Sequence, residues 1–150
     1  MATTSSVIPE AFHTLTPFLC VADAVRAIEF YKRVFDATVI ERHDEPGGKV
    51  SHATLRIGDS PLMLSDEFSQ HSQEHRGEGW PRSPKSLRGS SASLYMYVAN
   101  TEAVFERALA EGARVISPVA DKEWGDRLGS FEDPFGHIWN VATHVARLPH

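Results

Sequence analysis

The sequence predicts an α+β fold: two tandem βαβββ modules forming a curved mixed sheet, with a concave cup inside and helices outside. Three observations carry that expectation. A pattern of strand, helix and three strands occurs twice. The two copies share letters at an offset of 76–77 residues, as in Val21-Ala22-Asp23 against Val98-Ala99-Asn100, Glu29 against Glu106, and Ala37-Thr38-Val39 against Ala113-Arg114-Val115. A four-stranded half-sheet with one helix cannot cover both its faces, and two such halves side by side can. The chain of 150 residues is therefore read as one domain, with module one at about 14–67, a connecting loop at 68–90 and module two at about 91–147.

Residues 1–12 are small and polar and read as a tail. Residues 14–21 read as the first strand. Asp23 is a helix N-cap for a helix over roughly 24–35, with Val25, Ile28, Tyr31 and Phe35 on one face. Asp36-Ala37 ends it. Strands follow at 38–43, 49–57 and 61–66, separated by Pro46-Gly47-Gly48 and Gly58-Asp59. In the loop 68–90, Gln, Ser, Gly, Pro, His and Arg dominate, and a loop of that length is commonly functional or mobile. Module two repeats the order: a strand at 92–98, a helix from Asn100 or Thr101 to about 111 with Gly112 at its C-terminal end, a strand at 113–119, and a hairpin. The hairpin turns at Asp133-Pro134-Phe135-Gly136, where Pro presets φ and Gly accepts a positive φ.

Composition excludes several classes. A net charge of −5 does not suit nucleic acid, and no apolar run reaches the length of a membrane span. The single cysteine, Cys20, excludes an internal disulfide framework and fits a cytoplasmic location. The expected partner is a small molecule, with neither nucleic acid nor membrane.

Strand alternation assigns faces. Leu94, Met96 and Val98 are uniformly apolar and belong to the helix side, leaving Ser93, Tyr95 and Tyr97 for the cup. By the same count His52, Thr54 and Arg56, then Met63 and Ser65, and then Asn140, Ala142 and His144 face the cup. For 125–132 the alternation is ambiguous. The lining is aromatic, hydroxylic and weakly basic, which suits a small organic ligand; the plainer alternative is that Tyr95 and Tyr97 fill space between strands. Trp80, alone in the polar loop, either covers the cup or anchors the loop. Trp124 is placed to line the mouth of the cup or a subunit contact.

Thr16-Pro17-Phe18-Leu19-Cys20-Val21-Ala22-Asp23, Ala27-Ile28-Glu29-Phe30-Tyr31, His52-Ala53-Thr54-Leu55-Arg56-Ile57-Gly58-Asp59, and Trp124-Gly125-Asp126-Arg127 followed by Phe131-Glu132-Asp133-Pro134-Phe135-Gly136-His137 resemble the vicinal oxygen chelate superfamily. That superfamily includes glyoxalase I, bleomycin-resistance proteins and extradiol dioxygenases, and the chain is most similar to its PhnB-like branch. The resemblance covers about 14–145. It implies the fold, a homodimer, and in metal-dependent members a metal held from strands one and four of each module. Carried over by register, those positions are Thr16, Met63, Ser93 and Asn140, none of them a histidine or a carboxylate. A catalytic metal takes about three protein donors and an open position, and a thioether is a poor ligand for zinc, nickel or iron(II). The expectation is therefore no metal site and no cofactor.

Three functions remain. The first is a protein that binds a small organic molecule, with Phe18, Thr54, Arg56, Met63, Trp80, Tyr95, Tyr97, Trp124 and Asn140 as contacts. The second is a lyase, isomerase or dioxygenase of the glyoxalase type. It would use a divalent metal on non-standard ligands such as His52, Glu67 and His144, or would act without metal through His52 as general base, oriented by Glu67 or Asp66. A histidine merely hydrogen-bonded across strands is the plain alternative for His52. The third is a scaffold whose cup Tyr95, Tyr97 and Met63 close. His71-Ser72-Gln73-Glu74-His75 matches the zinc-peptidase pattern His-x-x-Glu-His but has no apolar helical back, so it reads as chance.

Overall fold

In the computed structural model the structure describes residues 7–70 and 79–145. The chain divides into two compact units, Met1–Pro81 and Arg82–His150. The first runs β1 (Phe18–Val21), α1 (Ala24–Phe35), β2 (Thr38–Asp44), β3 (Val50–Ile57) and β4 (Ser60–Asp66). The second runs α2 (Pro84–Leu87), β5 (Ser93–Tyr97), α3 (Thr101–Ala110), β6 (Arg114–Asp121), β7 (Asp126–Glu132) and β8 (Ile138–His144). Each unit holds one four-stranded mixed sheet, in the orders β1-β4-β3-β2 and β5-β8-β7-β6. The outer pairs β1–β4 and β5–β8 are parallel, and the other ladders are antiparallel. The two units thus carry the same βαβββ topology.

In the first unit, α1 begins where the Asp23 carboxylate accepts from the Arg26 amide, and stops where Asp36 takes a left-handed conformation. Its buried face is Ala24, Ala27, Ile28, Tyr31, Val34 and Phe35, and Phe30 is buried beside it. Val25 is 40 % exposed, a correction to its expected inward position. At 100° per residue it lies about 100° from Ala24, beyond the edge of the apolar stripe. The helix packs across β3 and β4, on the face carrying Leu55, Leu62 and Leu64, all buried. Asp66 ties this assembly together: one carboxylate oxygen accepts from the Ala24 amide at 2.8 Å and the other from the Val50 amide at 2.7 Å.

The first strand begins at Phe18, not at residue 14 as the sequence suggests. Pro17 has no amide hydrogen to give a ladder, although its carbonyl accepts from Met63 at 2.9 Å. Thr16 therefore precedes the strand.

In the second unit, Asn100 caps α3 by accepting from the Ala103 amide. The helix packs on β6, β7 and β8. Phe105 meets Phe131 edge-on at 5.4 Å, and Gly129 leaves the space that the Phe105 ring enters. Asp133 holds the final hairpin. Its Oδ1 accepts from the Phe135 and His137 amides and its Oδ2 from the Trp139 indole at 2.9 Å. Gly136 has φ +93°, and a Cβ there would come within 2.6 Å of Pro84, so α2 seats on the turn. The sequence reading leaves 84–87 as loop. Ser83 nonetheless caps a helical turn there, and Pro84 fills its first position.

Candidate functional site

Register brings matching residues together in the two sheets. In the first, Phe18 stands opposite Met63, and Met63 opposite Thr54. In the second, Tyr95 stands opposite Asn140, and Asn140 opposite Ser130. The offsets between these triplets are 77, 77 and 76 residues, the spacing of the internal repeat. Both triplets lie on the sheet face away from the helix, because α1 and α3 cover the alternate residues.

Around the first triplet, the Phe18 ring meets His52 edge-on at 5.4 Å and Trp80 edge-on at 5.2 Å. His52 Nε2 is 3.1 Å from the hydroxyl of Thr54, which is 1 % exposed. The His43 ring lies 6.4 Å from that of His52, and its Nε2 is 2.7 Å from Glu41. Arg56, two residues past Thr54 on β3, is exposed. Thus Phe18, His52, Thr54, Met63 and Trp80 share one neighbourhood. Asp66, expected as a carboxylate able to orient His52, accepts instead from Ala24 and Val50, and it follows Leu62 and Leu64 on the helix side of β4. Glu67 is buried at the end of β4, its amide bonded to the Val21 carbonyl. Cys20 is buried.

The second unit gathers a different chemistry. Asp126 Oδ2 accepts from the Tyr95 hydroxyl at 2.6 Å, the Tyr97 hydroxyl at 2.9 Å and the Trp124 indole N–H at 3.2 Å. Its Oδ1 is 3.1 Å from His144 Nδ1. The Trp124 N–H also reaches the Tyr95 hydroxyl oxygen at 3.3 Å. The carboxylate is 2 % exposed, whereas Tyr95, Tyr97 and Trp124 are 46 %, 62 % and 55 % exposed. Asp126 is thus a buried carboxylate bonded to side chains that are themselves exposed.

The electrostatics follow from those bonds. The Tyr95 hydroxyl above all, then His144, Tyr97 and Trp124, hold the Asp126 carboxyl below the ordinary aspartate value, against the opposing effect of desolvation. Tyr95 is raised by burial first and by its bond to Asp126 second, and Tyr97 by its bond to Asp126 first and burial second. The base is weakened and the two phenols are weakened as acids, so the cluster is tuned away from proton transfer at neutral pH.

Beside it lies a neutral network. Ser130 donates to Asn140 Oδ1 at 2.7 Å, and Asn140 Nδ2 donates to the Ser93 hydroxyl at 2.9 Å and to the Leu94 carbonyl at 3.3 Å. Ser93 and Asn140, the metal-ligand positions by resemblance in this module, are bonded to each other. The corresponding positions of the first unit, Thr16 and Met63, offer a hydroxyl and a thioether. This donor set does not fit a catalytic divalent metal. Among the described residues, no group of three or more His, Cys, Asp or Glu side chains is placed to hold a metal. The segment His71-Ser72-Gln73-Glu74-His75 lies outside the described residues.

Asp126 is the residue of this cluster that alternation does not reveal. Its signal is register: Ser130 opposite Asn140 and Asp126 opposite His144 put both on the face of Tyr95 and Tyr97. Glu41 and His43 are similarly found only through their pairing with Thr54 and His52.

Comparison with known proteins gives concordant matches. The family model described as Glyoxalase/Bleomycin resistance protein/Dioxygenase superfamily matches residues 11–141. An uncharacterized protein of Mycobacterium bovis is 40 % identical over 134 residues, which cover 89 % of this chain and 85 % of that protein. Among solved structures, TioX from Micromonospora sp. ML1 is similar with a TM-score of 0.65 at 25 % identity, over 89 % of this chain and 99 % of that one. The PhnB protein from Bacillus cereus is similar with a TM-score of 0.64 at 21 % identity, over 87 % of this chain and 99 % of that one, a likeness of fold alone.

Proposed function

This chain belongs to the glyoxalase/bleomycin resistance protein/dioxygenase superfamily, and from that premise we propose that it binds a small organic molecule on the second sheet's face of Tyr95, Tyr97 and Trp124, without the usual catalytic metal. The observation that carries this reading is the saturated Asp126 carboxylate. Three donors on one oxygen orient three exposed aromatic side chains while leaving the carboxylate a poor base. Such a surface offers recognition rather than proton chemistry. The mutual bond of Ser93 and Asn140 supports the absence of the metal, since both are neutral and already engaged.

The placement in the PhnB-like branch belongs to the same proposal and is supported by the motifs around Thr16–Asp23 and Phe131–His137. So does a homodimer. Val39 and Ile40 on the edge strand β2, and their counterparts Val115 and Ile116 on the edge strand β6, are 38–45 % exposed. Light scattering on the intact protein tests the dimer.

A second reading is a lyase, isomerase or dioxygenase of the glyoxalase type that acts through His52. The contact of His52 with Thr54, beside the His43–Glu41 pair, favours it. The two readings separate in one experiment. Small neutral, anionic and cationic aromatic compounds are titrated into the protein and followed both for binding and for chemical change. Binding without consumption, weakened by Trp124→Leu, supports the first. Consumption that disappears in His52→Ala supports the second.

A further inference from the structure

Resting on that binding reading, we infer that the Tyr95–Tyr97–Trp124 surface selects an organic cation with an alkylated ammonium group, placed against the aromatic rings above the Asp126 carboxylate. Three features point there. The first is shape. The Tyr95 and Tyr97 ring centroids are 5.5 Å apart and their planes are tilted by 52°, and both rings are exposed. A cation is attracted to a ring within about 6 Å of its centroid, so one ammonium group can engage both rings. Trp124 is tied to the same carboxylate oxygen through its indole N–H, so the three aromatic groups fan out from one anchor.

The second feature is charge. Asp126 is a buried carboxylate bonded to Tyr95, Tyr97 and Trp124, the side chains that would meet the ligand. Its charge sits at the hydroxyl ends of both rings, so it acts attractively on a cation held against them. Each phenol also donates its proton toward a negative charge, which increases electron density in the ring that the cation meets. His144 also faces Asp126, with Nδ1 3.1 Å from Oδ1.

The third feature is saturation. Oδ2 holds three donors and Oδ1 faces His144, so the carboxylate has little room for N–H donors from a ligand. A primary ammonium, which must replace its hydrogen bonds to water, is poorly served. A trimethylammonium group has no such bonds to replace and gains from ring faces. The selected chemistry is therefore a quaternary or tertiary ammonium rather than an amine of the lysine type.

The test compares choline with 3,3-dimethyl-1-butanol, its neutral isostere, in which carbon replaces nitrogen. Both are titrated into 15N-labelled protein, and the Trp124 indole N–H resonance, assigned with Trp124→Leu, reports binding. Choline is expected to bind about tenfold or more tightly than the alcohol. In Asp126→Asn, which keeps the shape and an acceptor oxygen, the two affinities are expected to converge through loss of choline binding. In Trp124→Leu, followed by backbone amides, both are expected to weaken. Equal or tighter binding of the alcohol by the unaltered protein overturns the cation inference and leaves the binding surface standing. No response of Trp124 to either compound overturns the inference, and the aromatic panel described above then decides the binding reading by itself. Because the isostere comparison uses unaltered protein, it stands even where a variant fails to fold.

Discussion

The Tyr95 hydroxyl donates to Asp126 Oδ2 at 2.6 Å, joining an exposed aromatic side chain on β5 to a covered carboxylate on β7. The strand β8 lies between them in the sheet. The bond spans two strand spacings, and Tyr97 and Trp124 converge on the same oxygen. A charge on the middle of an aromatic surface is therefore also a fastener of the sheet.

Stability should show the sign of these bonds. The Asp126 pKa is depressed in the fold, so its contribution is present above the ordinary value of 3.8 and is lost as pH falls through the lower folded value. The Tyr95 and Tyr97 pKa values are raised, so their contribution is present below 10.0 and is lost as pH rises through the higher folded values. Urea midpoints measured across pH should form a plateau between these limits. Asp126→Asn should lower the plateau and flatten both limbs; limbs unchanged in that variant would contradict the assignment.

Asp66 should be more costly to lose than its surface neighbours. Asp66→Ala leaves the buried Ala24 and Val50 amides without their acceptor. The expected destabilisation is about 2–5 kcal/mol. Asp66→Asn retains one acceptor and should lose less. Chemical denaturation of the three proteins checks the order.

Gly129→Ala should destabilise the second unit. The added Cβ would stand 2.6 Å from Phe105 Cζ and 2.8 Å from Val119 Cγ2. Overpacking of this kind costs about 1–3 kcal/mol. Pairing it with Phe105→Leu should recover part of the loss, which a double-mutant cycle in urea measures.

Metal retention should be weak. Protein incubated with nickel, zinc, manganese or iron(II) and then desalted is expected to keep far less than one equivalent. One metal per chain, lost in His52→Ala or Asn140→Ala, would instead support the enzyme reading.

The fold is legible in the sequence to the extent that local signals agree with tertiary packing. Asp23 and Asp36 bracket α1 because one is a cap and the other a tolerable left-handed residue. The first strand is misjudged by four residues because apolar alternation runs on through Pro17, where the ladder lacks a donor. The turn at 84–87 carries its own signal in Ser83-Pro84, masked by the polar loop around it. At the site, alternation places Tyr95, Tyr97 and Asn140 on one face. It gives no face for Asp126, because the charged and glycine-rich stretch 125–132 has no apolar period, and a two-strand register is needed to find it. No helix among the described residues is long and apolar enough to cross a membrane, consistent with the absence of a spanning apolar run.

An NMR map of binding on 15N-labelled protein, using the same panel of neutral, anionic and cationic aromatic compounds, tests the Tyr95–Tyr97–Trp124 surface itself. Binding compounds are expected to shift the Trp124 indole and the amides of Tyr95, Tyr97, Asp126 and His144, and to emerge from the sample unchanged. Shifts confined to the neighbourhood of His52, Thr54 and Phe18, with consumption of a compound that His52→Ala abolishes, would contradict the binding reading.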